Sequence, residues 1–308
     1  MNVLSLFDGI SCARVALDRA GIEVNAYMAS EIEKNAIKVS QKNYPDIIRV
    51  GSVVDLEVEG QVDLLIGGSP CQDLSIAKKD RKGLGGDRSG LFWEYARIKK
   101  ECKPQWFILE NVASMPKADR DIITEEMGVE PVMFNASLVS AQSRKRLFWT
   151  NIPFTLPEDR GILLKDILEE NVEERFYFTG KIGSSQANRV RDFSGKSVTL
   201  SAHGGGAGAK TGLYKVGYVG DGEQYGQGGQ AHRVYSPEGK TPTLSSGGPL
   251  VKLDRIRKLT PIECERLQGL PDNYTEGVAI THRYKCLGNA FNVDVVAHIL
   301  SRVKLMYA

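Results

Sequence analysis

The chain has 308 residues, with 40 Lys and Arg against 38 Asp and Glu, a formal net charge of +2 and 42% hydrophobic residues. This length predicts one or two domains with a sizeable core, and the 25% charged fraction is typical of globular proteins rather than disordered or fibrous chains. Because the chain as a whole is almost neutral, a nucleic-acid partner would need a local basic surface.

Short apolar runs alternate with amphipathic segments along the first half of the chain. The runs predict buried strands at Val3–Phe7, Val24–Met28, Ile47–Val50, Val62–Ile66 and Trp106–Leu109. The amphipathic segments predict helices at Cys12–Ala20, Glu33–Lys42 and Leu91–Lys100. Continuous rather than alternating apolarity indicates a mostly parallel sheet covered on both faces, so the predicted fold is a doubly wound α/β domain.

The composition changes after about residue 160. Residues 180–249 contain 17 of the 32 glycines, which predicts short strands and loops because an interior glycine costs a helix about 0.5–1 kcal/mol. We expect residues 1–160 and 275–308 to form one domain and residues 161–274 to form a smaller, mainly β domain. Thr260, Pro261 and Glu263 predict a capped helix that ends at Gly269, and a final helix is expected from about Asn292 to Leu305.

The glycine-rich stretch contains an internal repeat. Ala187–Val190 and Gly195–Ser201 recur 44 residues later as Ala231–Val234 and Gly239–Ser245. Two copies are too few for a solenoid. The repeat is either a duplicated strand-turn-strand scaffold or a surface whose paired Arg and Lys contact phosphates.

Five cysteines, at positions 12, 71, 102, 264 and 286, include no C-x-x-C pair. This pattern fits neither a disulfide framework nor a zinc site and favours a reducing compartment. Asp8 interrupts the N-terminal apolar run, which argues against a signal peptide, and no run approaches the roughly 18 residues of a membrane span. We therefore expect a cytoplasmic protein with no membrane partner.

Polar residues follow three of the predicted strands. Gly9 ends the first strand, Glu31 closes the second and Glu110 follows the strand at Trp106. A glycine lets a ligand approach the backbone, and an acid at the tip of the second strand can accept hydrogen bonds from ribose hydroxyls. The G-x-G-x-x-G fingerprint is absent, which favours a nucleoside-type cofactor over NAD; a purely structural turn is the alternative.

Two further features could carry chemistry. Cys71 lies on a loop after the strand Val62–Ile66, and an extended segment would place Arg144 and Arg146 on one face. A buried structural cysteine and a solvated basic face are the alternatives. Together with Glu110, the thiol and the arginine pair suit addition to a polarised heteroaromatic ring.

These motifs resemble those of C5-cytosine DNA methyltransferases over nearly the whole chain. The matching segments are Phe7-Asp8-Gly9, Pro70-Cys71-Gln72, Glu110-Asn111-Val112, Gln142–Arg146 (Q-x-R-x-R), Thr260–Pro271 and Gly288-Asn289-Ala290. The catalytic motifs are close to the vertebrate de novo branch, whereas the insert is similar to that of small HhaI-type bacterial enzymes. The resemblance implies a bacterial or phage protein with a SAM-dependent methyltransferase fold and a target-recognition domain at residues 161–274.

The resemblance also implies roles for four residues. Cys71 would attack C6 of a cytosine flipped out of duplex DNA, and Glu110 would hydrogen-bond N3 and the exocyclic amine. Arg146 would hold O2 of the base, and Arg144 would support the loop. The activated C5 would then take its methyl group from S-adenosylmethionine, and this chemistry needs no metal.

The cofactor residues implied by the resemblance come from both ends of the chain. They are Phe7, Asp8, Gly9, Ile10, Glu31, Ile32, Ser52, Val53, Gly68, Pro70, Leu91, Asn289, Ala290 and Phe291. Glu31 would bind the ribose and Ile32 would pack on adenine. Three positions depart from the family pattern: Ser11 replaces a glycine, Ser52 replaces an acid, and Ala290-Phe291 replaces Ser-Val.

The implied partner is double-stranded DNA. The expected DNA-binding residues are Lys78, Lys79, Arg81, Lys82, Arg88, Lys210, Gln230 and Arg233. The first five lie on a loop with a local charge of +3, and Gln230 is the candidate for filling the space left by the flipped base. A monomer is expected, and a cognate restriction endonuclease that is not physically bound is a candidate partner.

Two other functions fit the same architecture. A transfer-RNA cytosine-5 methyltransferase typically has Cys-Phe-Thr beside the E-N-V motif and lacks a large insert, whereas Ala113-Ser114-Met115 follow Val112 here. A catalytically inactive DNA-binding regulator would not need the intact Pro70-Cys71 and Glu110-Asn111-Val112 motifs. Amino-group methyltransferases need no thiol, and a nicotinamide oxidoreductase would need phosphate-binding glycines.

Overall fold

A seven-stranded sheet forms the centre of the chain in the computed structural model, which describes residues 1–70, 89–173, 190–191, 195–197, 200, 213–216 and 255–307. The strands are β1 (Asn2–Leu6), β2 (Ala26–Ser30), β3 (Ile48–Gly51), β4 (Leu64–Gly67), β5 (Trp106–Val112), β6 (Val132–Asn135) and β7 (Lys145–Thr150). Their order is β3-β2-β1-β4-β5-β7-β6. The first five are parallel, and β7 is antiparallel to both β5 and β6. The predicted mostly parallel α/β fold is confirmed.

Capping signals in the sequence mark several of the helix ends. They are α1 (Cys12–Ala20), α2 (Lys34–Asn43), α3 (Phe92–Cys102), α4 (Lys117–Met127), α5 (Pro261–Leu267), α6 (Ile280–Asn289) and α7 (Val293–Tyr307). Helix α1 has the predicted bounds and is followed by Gly21 at φ +68°. Thr260 and Glu263 form the predicted capping box at the start of α5, and Gly269 follows its end at φ +74°.

Both faces of the sheet are buried, as continuous apolar strands require. Val3 of β1 packs in a cluster with α1 and α7, whereas its neighbour Leu4 packs in a second cluster with Tyr95 of α3 and Ile123 of α4. All four residues of β4 are buried. Because β1, β2, β4 and β5 are parallel, their carboxyl ends lie at one edge of this buried sheet.

The described part of the glycine-rich stretch is extended. Strands β8 (Val190–Arg191), β9 (Leu213–Val216) and β10 (Arg255–Arg257) form a separate three-stranded sheet. The apolar residues Leu164 and Leu267, which fall inside the predicted recognition domain, pack in the same core cluster as α1 and α7. The division at residues 161–274 stays a prediction. Within the described ranges, no helix is long and apolar enough to cross a membrane.

Candidate active site

A cavity of about 340 Å³ opens at the carboxyl edge of the sheet. This volume lies within the roughly 300–1,000 Å³ that is usual for small-molecule sites, and open α/β sheets bind ligands at this edge. Its walls include Phe7 after β1, Glu31 after β2, Gly68 after β4 and Glu110 on β5. The sheet thus brings together residues that are up to 103 positions apart in the chain.

A tight turn after β1 is tied to the end of β2 by one carboxylate. Glu31 accepts hydrogen bonds from the backbone N–H of Gly9 at 2.8 Å, of Ile32 at 2.8 Å and of Glu33 at 2.8 Å. Phe7, Gly9 and Ser11 have φ values of +57°, +61° and +62°. The Glu31 carboxylate thereby holds the Gly9 backbone at the cavity wall, and Glu31 lines the same cavity.

An exposed apolar wall borders the cavity on the β2 and β3 side. The side chains of Ile32 and Val54 both line the cavity and remain 73% and 48% exposed. Ser52 Oγ accepts the N–H of Val54 at 3.1 Å and shapes this wall. Apolar side chains that face an open cavity suit a flat ring, because covering them removes apolar surface from water.

Glu110 and Arg146 form an ion pair across the antiparallel strands β5 and β7. Arg146 Nε lies 2.7 Å from Glu110 Oε1, and both side chains are about one-seventh exposed. The adjacent Asn111 is buried and donates from Nδ2 to Ser69 Oγ at 3.1 Å. This bond ties β5 to the segment that leads through Pro70 to Cys71.

Arg144 is buried rather than solvated, which excludes an exposed basic face for this arginine. Its guanidinium donates to the backbone oxygens of Ala290 at 3.0 Å, Gly288 at 3.4 Å and Leu200 at 3.4 Å. It therefore joins β7 to the end of α6 and to the glycine-rich region. Arg144 and Arg146 both line the cavity; Arg144 binds backbone oxygens, whereas Arg146 binds the Glu110 carboxylate.

Most of the predicted cofactor residues surround the cavity. Its walls contain Phe7, Gly9, Ile10, Glu31, Ile32, Ser52, Val53, Gly68, Pro70, Leu91 and Asn289, together with Glu110, Arg144 and Arg146.

Three predicted cofactor residues, Asp8, Ala290 and Phe291, do not contribute to these walls. Asp8 points inward, where Tyr27 Oη donates to it at 2.7 Å and Ser11 Oγ at 2.5 Å. Ala290 turns its carbonyl to Arg144. Phe291 packs beside a separate small cavity behind Glu110.

The remaining predicted residues lie outside the described part of the chain. These are Cys71, Lys78, Lys79, Arg81, Lys82, Arg88, Lys210, Gln230 and Arg233.

Sequence reasoning missed six residues of the cavity wall: Ser30, Glu33, Ala36, Val54, Ser69 and Cys286. A further wall residue, Gly288, belongs to the Gly288-Asn289-Ala290 motif. Most of the missed residues are direct neighbours of predicted residues, so extending each motif by one or two positions would have found them. Cys286 is different, because it reaches the cavity from one face of α6. Burial, reinforced by the nearby charge of Glu33, raises the pKa of its thiol to about 12.

The first copy of the sequence repeat does not present its lysine for phosphate contact. Lys196 Nζ donates to the backbone oxygens of Ser137 at 3.0 Å and Ser140 at 3.3 Å, and also to that of Ile162. Ser197 pairs with Gln142, immediately before the arginine pair. For Lys196 these contacts favour the scaffold interpretation; Arg189 of the first copy and residues 231–245 of the second lie outside the described residues.

The mostly parallel sheet and the cavity at its carboxyl edge define an α/β protein that binds a small molecule at this edge. A family model described as C-5 cytosine-specific DNA methylase matches residues 1–305. The chain belongs to this family and is a DNA cytosine-5 methyltransferase, so the predicted family and activity are confirmed.

Similar proteins span nearly the whole chain. The type II methyltransferase M.HhaI of Haemophilus parahaemolyticus is 27% identical over 97% of this chain and 93% of its own length. The type II methyltransferase M.Bsp6I of Bacillus sp. (strain RFL6) is 27% identical over 98% of each chain. Among solved structures, the Dnmt2 methyltransferase of S. pombe has a TM-score of 0.72, 16% identity and 100% coverage of both chains. At that identity the likeness shows the fold alone.

Proposed function

We propose that the chain methylates a cytosine flipped out of double-stranded DNA, with Cys71 as nucleophile and S-adenosylmethionine as methyl donor. The observation that carries this proposal is the Glu110–Arg146 ion pair on the wall of the cavity, a wall to which Pro70 also contributes. Covalent attack on cytosine needs a thiol as nucleophile, and a carboxylate and a guanidinium that bind the polar edge of the ring. Pro70, which precedes Cys71 in the sequence, lines the same cavity as this pair.

The covalent step conserves atoms and electrons. The thiolate of Cys71 forms a bond to C6 of the base, and the electron pair of the C5–C6 double bond becomes available at C5. C5 then bonds to the methyl group, whose bond to sulfur breaks and leaves S-adenosylhomocysteine. Loss of the C5 proton to a base restores the double bond as the thiolate departs.

Glu110 and Arg146 hold the base during this attack. The Glu110 carboxyl group hydrogen-bonds N3 and the exocyclic amine, so that charge developing on the ring is stabilised. Arg146 binds O2 of the base through guanidinium nitrogens other than the Nε that contacts Glu110. Arg144 contacts neither base nor cofactor in this proposal; it holds the segment Gly288–Ala290 in place.

The cavity fits an adenosine-containing cofactor that lacks phosphates. Glu31 accepts ribose hydroxyls, Ile32 and Val54 pack on the adenine ring, and the open backbone at Gly9 faces the amino-acid part. S-adenosylmethionine supplies an electrophilic methyl group when it is bound. The dinucleotide fingerprint G-x-G-x-x-G is missing from the sequence, which favours a cofactor without phosphates.

The other cysteines are poor candidates for the nucleophile. Cys286 lines the cavity, but its raised pKa of about 12 keeps it a neutral thiol at physiological pH. Cys12 and Cys264 are buried in the core, and burial also raises the pKa of Cys12 and Cys102. Cys71 directly follows Pro70 in the sequence, and Pro70 lines the cavity.

DNA binding involves segments that the sequence alone identifies. The basic residues between Lys78 and Arg88 contact phosphates across the flipped base, and Lys210 and Arg233 contact DNA from the glycine-rich region. Gln230 enters the space that the cytosine vacates. The names of the similar type II enzymes support a role beside a restriction endonuclease of the same site specificity.

A mechanism-based trap tests this proposal. Duplex DNA that carries 5-fluorocytosine in place of cytosine cannot lose a proton from C5, so the methylated adduct should stay attached to Cys71. Denaturing gels should then show a protein–DNA complex that needs S-adenosylmethionine and disappears in Cys71→Ala. A complex that persists in Cys71→Ala, or one that forms only with transfer RNA, would contradict the proposal.

A further inference from the structure

Gly68 lies in close contact with both Phe291 and Glu110. A Cβ atom built on Gly68 would lie 2.8 Å from Cε1 of Phe291 and 3.1 Å from Oε2 of Glu110. Both distances are shorter than ordinary carbon contacts of about 3.5–4.0 Å. The edge of the Phe291 ring and the Glu110 carboxylate therefore both lie against the backbone of Gly68. A larger residue at position 68 would displace one of them.

Phe291 faces the back of Glu110 rather than the cofactor cavity. Its ring is 9% exposed and lines a separate cavity of about 10 Å³ together with Glu110, Arg144 and Arg146. A space of this size is at the lower limit for holding one water molecule. The ring therefore fills the region behind the carboxylate that solvent would otherwise occupy.

These contacts restrict the Glu110 side chain from two sides. Arg146 binds Oε1 at 2.7 Å, and Oε2 faces the Gly68 backbone beside the Phe291 ring. A glutamate side chain has several rotamers. Packing that excludes some of them fixes the direction in which the carboxylate points. We propose that Phe291 is a positioning residue that holds Glu110 toward the target base, with Gly68 providing the space that this requires.

The inference rests on the proposed role of Glu110 and assigns Phe291 to the base side of the site rather than to cofactor binding. Phe291→Ala should lower the single-turnover methylation rate on unmethylated bacterial genomic DNA by roughly a hundredfold, the effect of a misplaced reacting group. The Kd for S-adenosylmethionine should stay unchanged. A raised Kd with a normal rate at saturating cofactor would overturn the inference.

A matched control separates positioning from general loss of packing. Phe107 is a similarly buried phenylalanine at the opposite end of β5, so Phe107→Ala should lower Tm comparably. The Phe107→Ala protein should nevertheless retain most of its methylation rate at a temperature where it is folded. Equal rate losses in the two variants would contradict a positioning role.

A size exchange tests the contact with Gly68 directly. Gly68→Ala should slow methyl transfer because its new methyl group meets the Phe291 ring, and adding Phe291→Leu should restore part of the rate. A double variant that is no faster than Gly68→Ala would overturn the inference.

The methylation rate of Glu110→Gln, measured in parallel, separates the proposed role of Glu110 from the positioning role of Phe291. A normal rate in Glu110→Gln removes the proposed role of Glu110 and this inference with it. A slow Glu110→Gln beside a normal Phe291→Ala overturns the inference alone.

Discussion

Arg144 donates a hydrogen bond from Nη2 to the backbone oxygen of Ala290 at 3.0 Å, across 146 residues of sequence. The same guanidinium reaches the oxygens of Gly288 and Leu200. One buried side chain therefore connects the strand that carries Arg146, the C-terminal segment beside the cavity and the glycine-rich region. Because Asn289 lies between the two bonded carbonyls, this contact shapes part of the cavity wall.

Replacing Arg144 should weaken both the fold and cofactor binding. Arg144→Met leaves buried carbonyl oxygens without a donor, at roughly 1–3 kcal/mol each. Arg144→Lys should also be destabilised, since an ammonium cannot reproduce the planar fork of the guanidinium. Urea denaturation and calorimetric titration with S-adenosylmethionine should show a lower free energy of unfolding and a higher Kd. Wild-type values for Arg144→Met would contradict this role.

Ser11 occupies a left-handed backbone conformation that is unusual for a serine. Its φ is +62°, and its buried hydroxyl donates to Asp8 Oδ2 at 2.5 Å and contacts Ser40 Oγ. Ser11→Ala loses these bonds and keeps the conformational cost, whereas Ser11→Gly loses the bonds but relieves a cost of roughly 1–2 kcal/mol. Unfolding free energies should therefore fall in the order wild type, Ser11→Gly, Ser11→Ala. An alanine variant at least as stable as the glycine variant would show that backbone strain is negligible here.

Cysteine alkylation should distinguish Cys71 from Cys286. Because the pKa of Cys286 is raised to about 12, its thiolate dominates only above that pH, and at about pH 8 it amounts to roughly one molecule in ten thousand. Iodoacetamide at that pH should label Cys71 first, as read by peptide mass spectrometry, and labelling of Cys286 should rise as the pH increases. Cys71→Ala serves as the control. Labelling of Cys286 before Cys71 at neutral pH would contradict this order.

The sequence predicts the sheet well where burial dictates the pattern. Strand β4 lies between covered faces and is continuously apolar, and helix α1 is followed by a glycine, so the sequence predicts the bounds of both within one or two residues. Strand β6 is short, lies at the edge and has Met133 exposed, so it carries no comparable signal and was not predicted. Its antiparallel pairing with β7 depends on contacts distant in sequence.

The motifs predict where site residues lie along the backbone but not where their side chains point. Glu31 and Glu110 reach the cavity because each follows a strand that ends at the same edge. Asp8 and Phe291 are adjacent to cavity residues, yet Tyr27 draws Asp8 inward and the space at Gly68 admits the Phe291 ring. Such orientations depend on partners from other elements, which motif spacing does not specify.

Bisulfite sequencing of genomic DNA from a methylation-free bacterial host that expresses the protein tests the central claim most directly. Cys71→Ala, expressed at the same level, is the control. We predict 5-methylcytosine at one short sequence motif with the wild-type protein and none with Cys71→Ala. Methylation that persists in Cys71→Ala, or its absence from DNA despite folded wild-type protein that binds S-adenosylmethionine, would contradict the account.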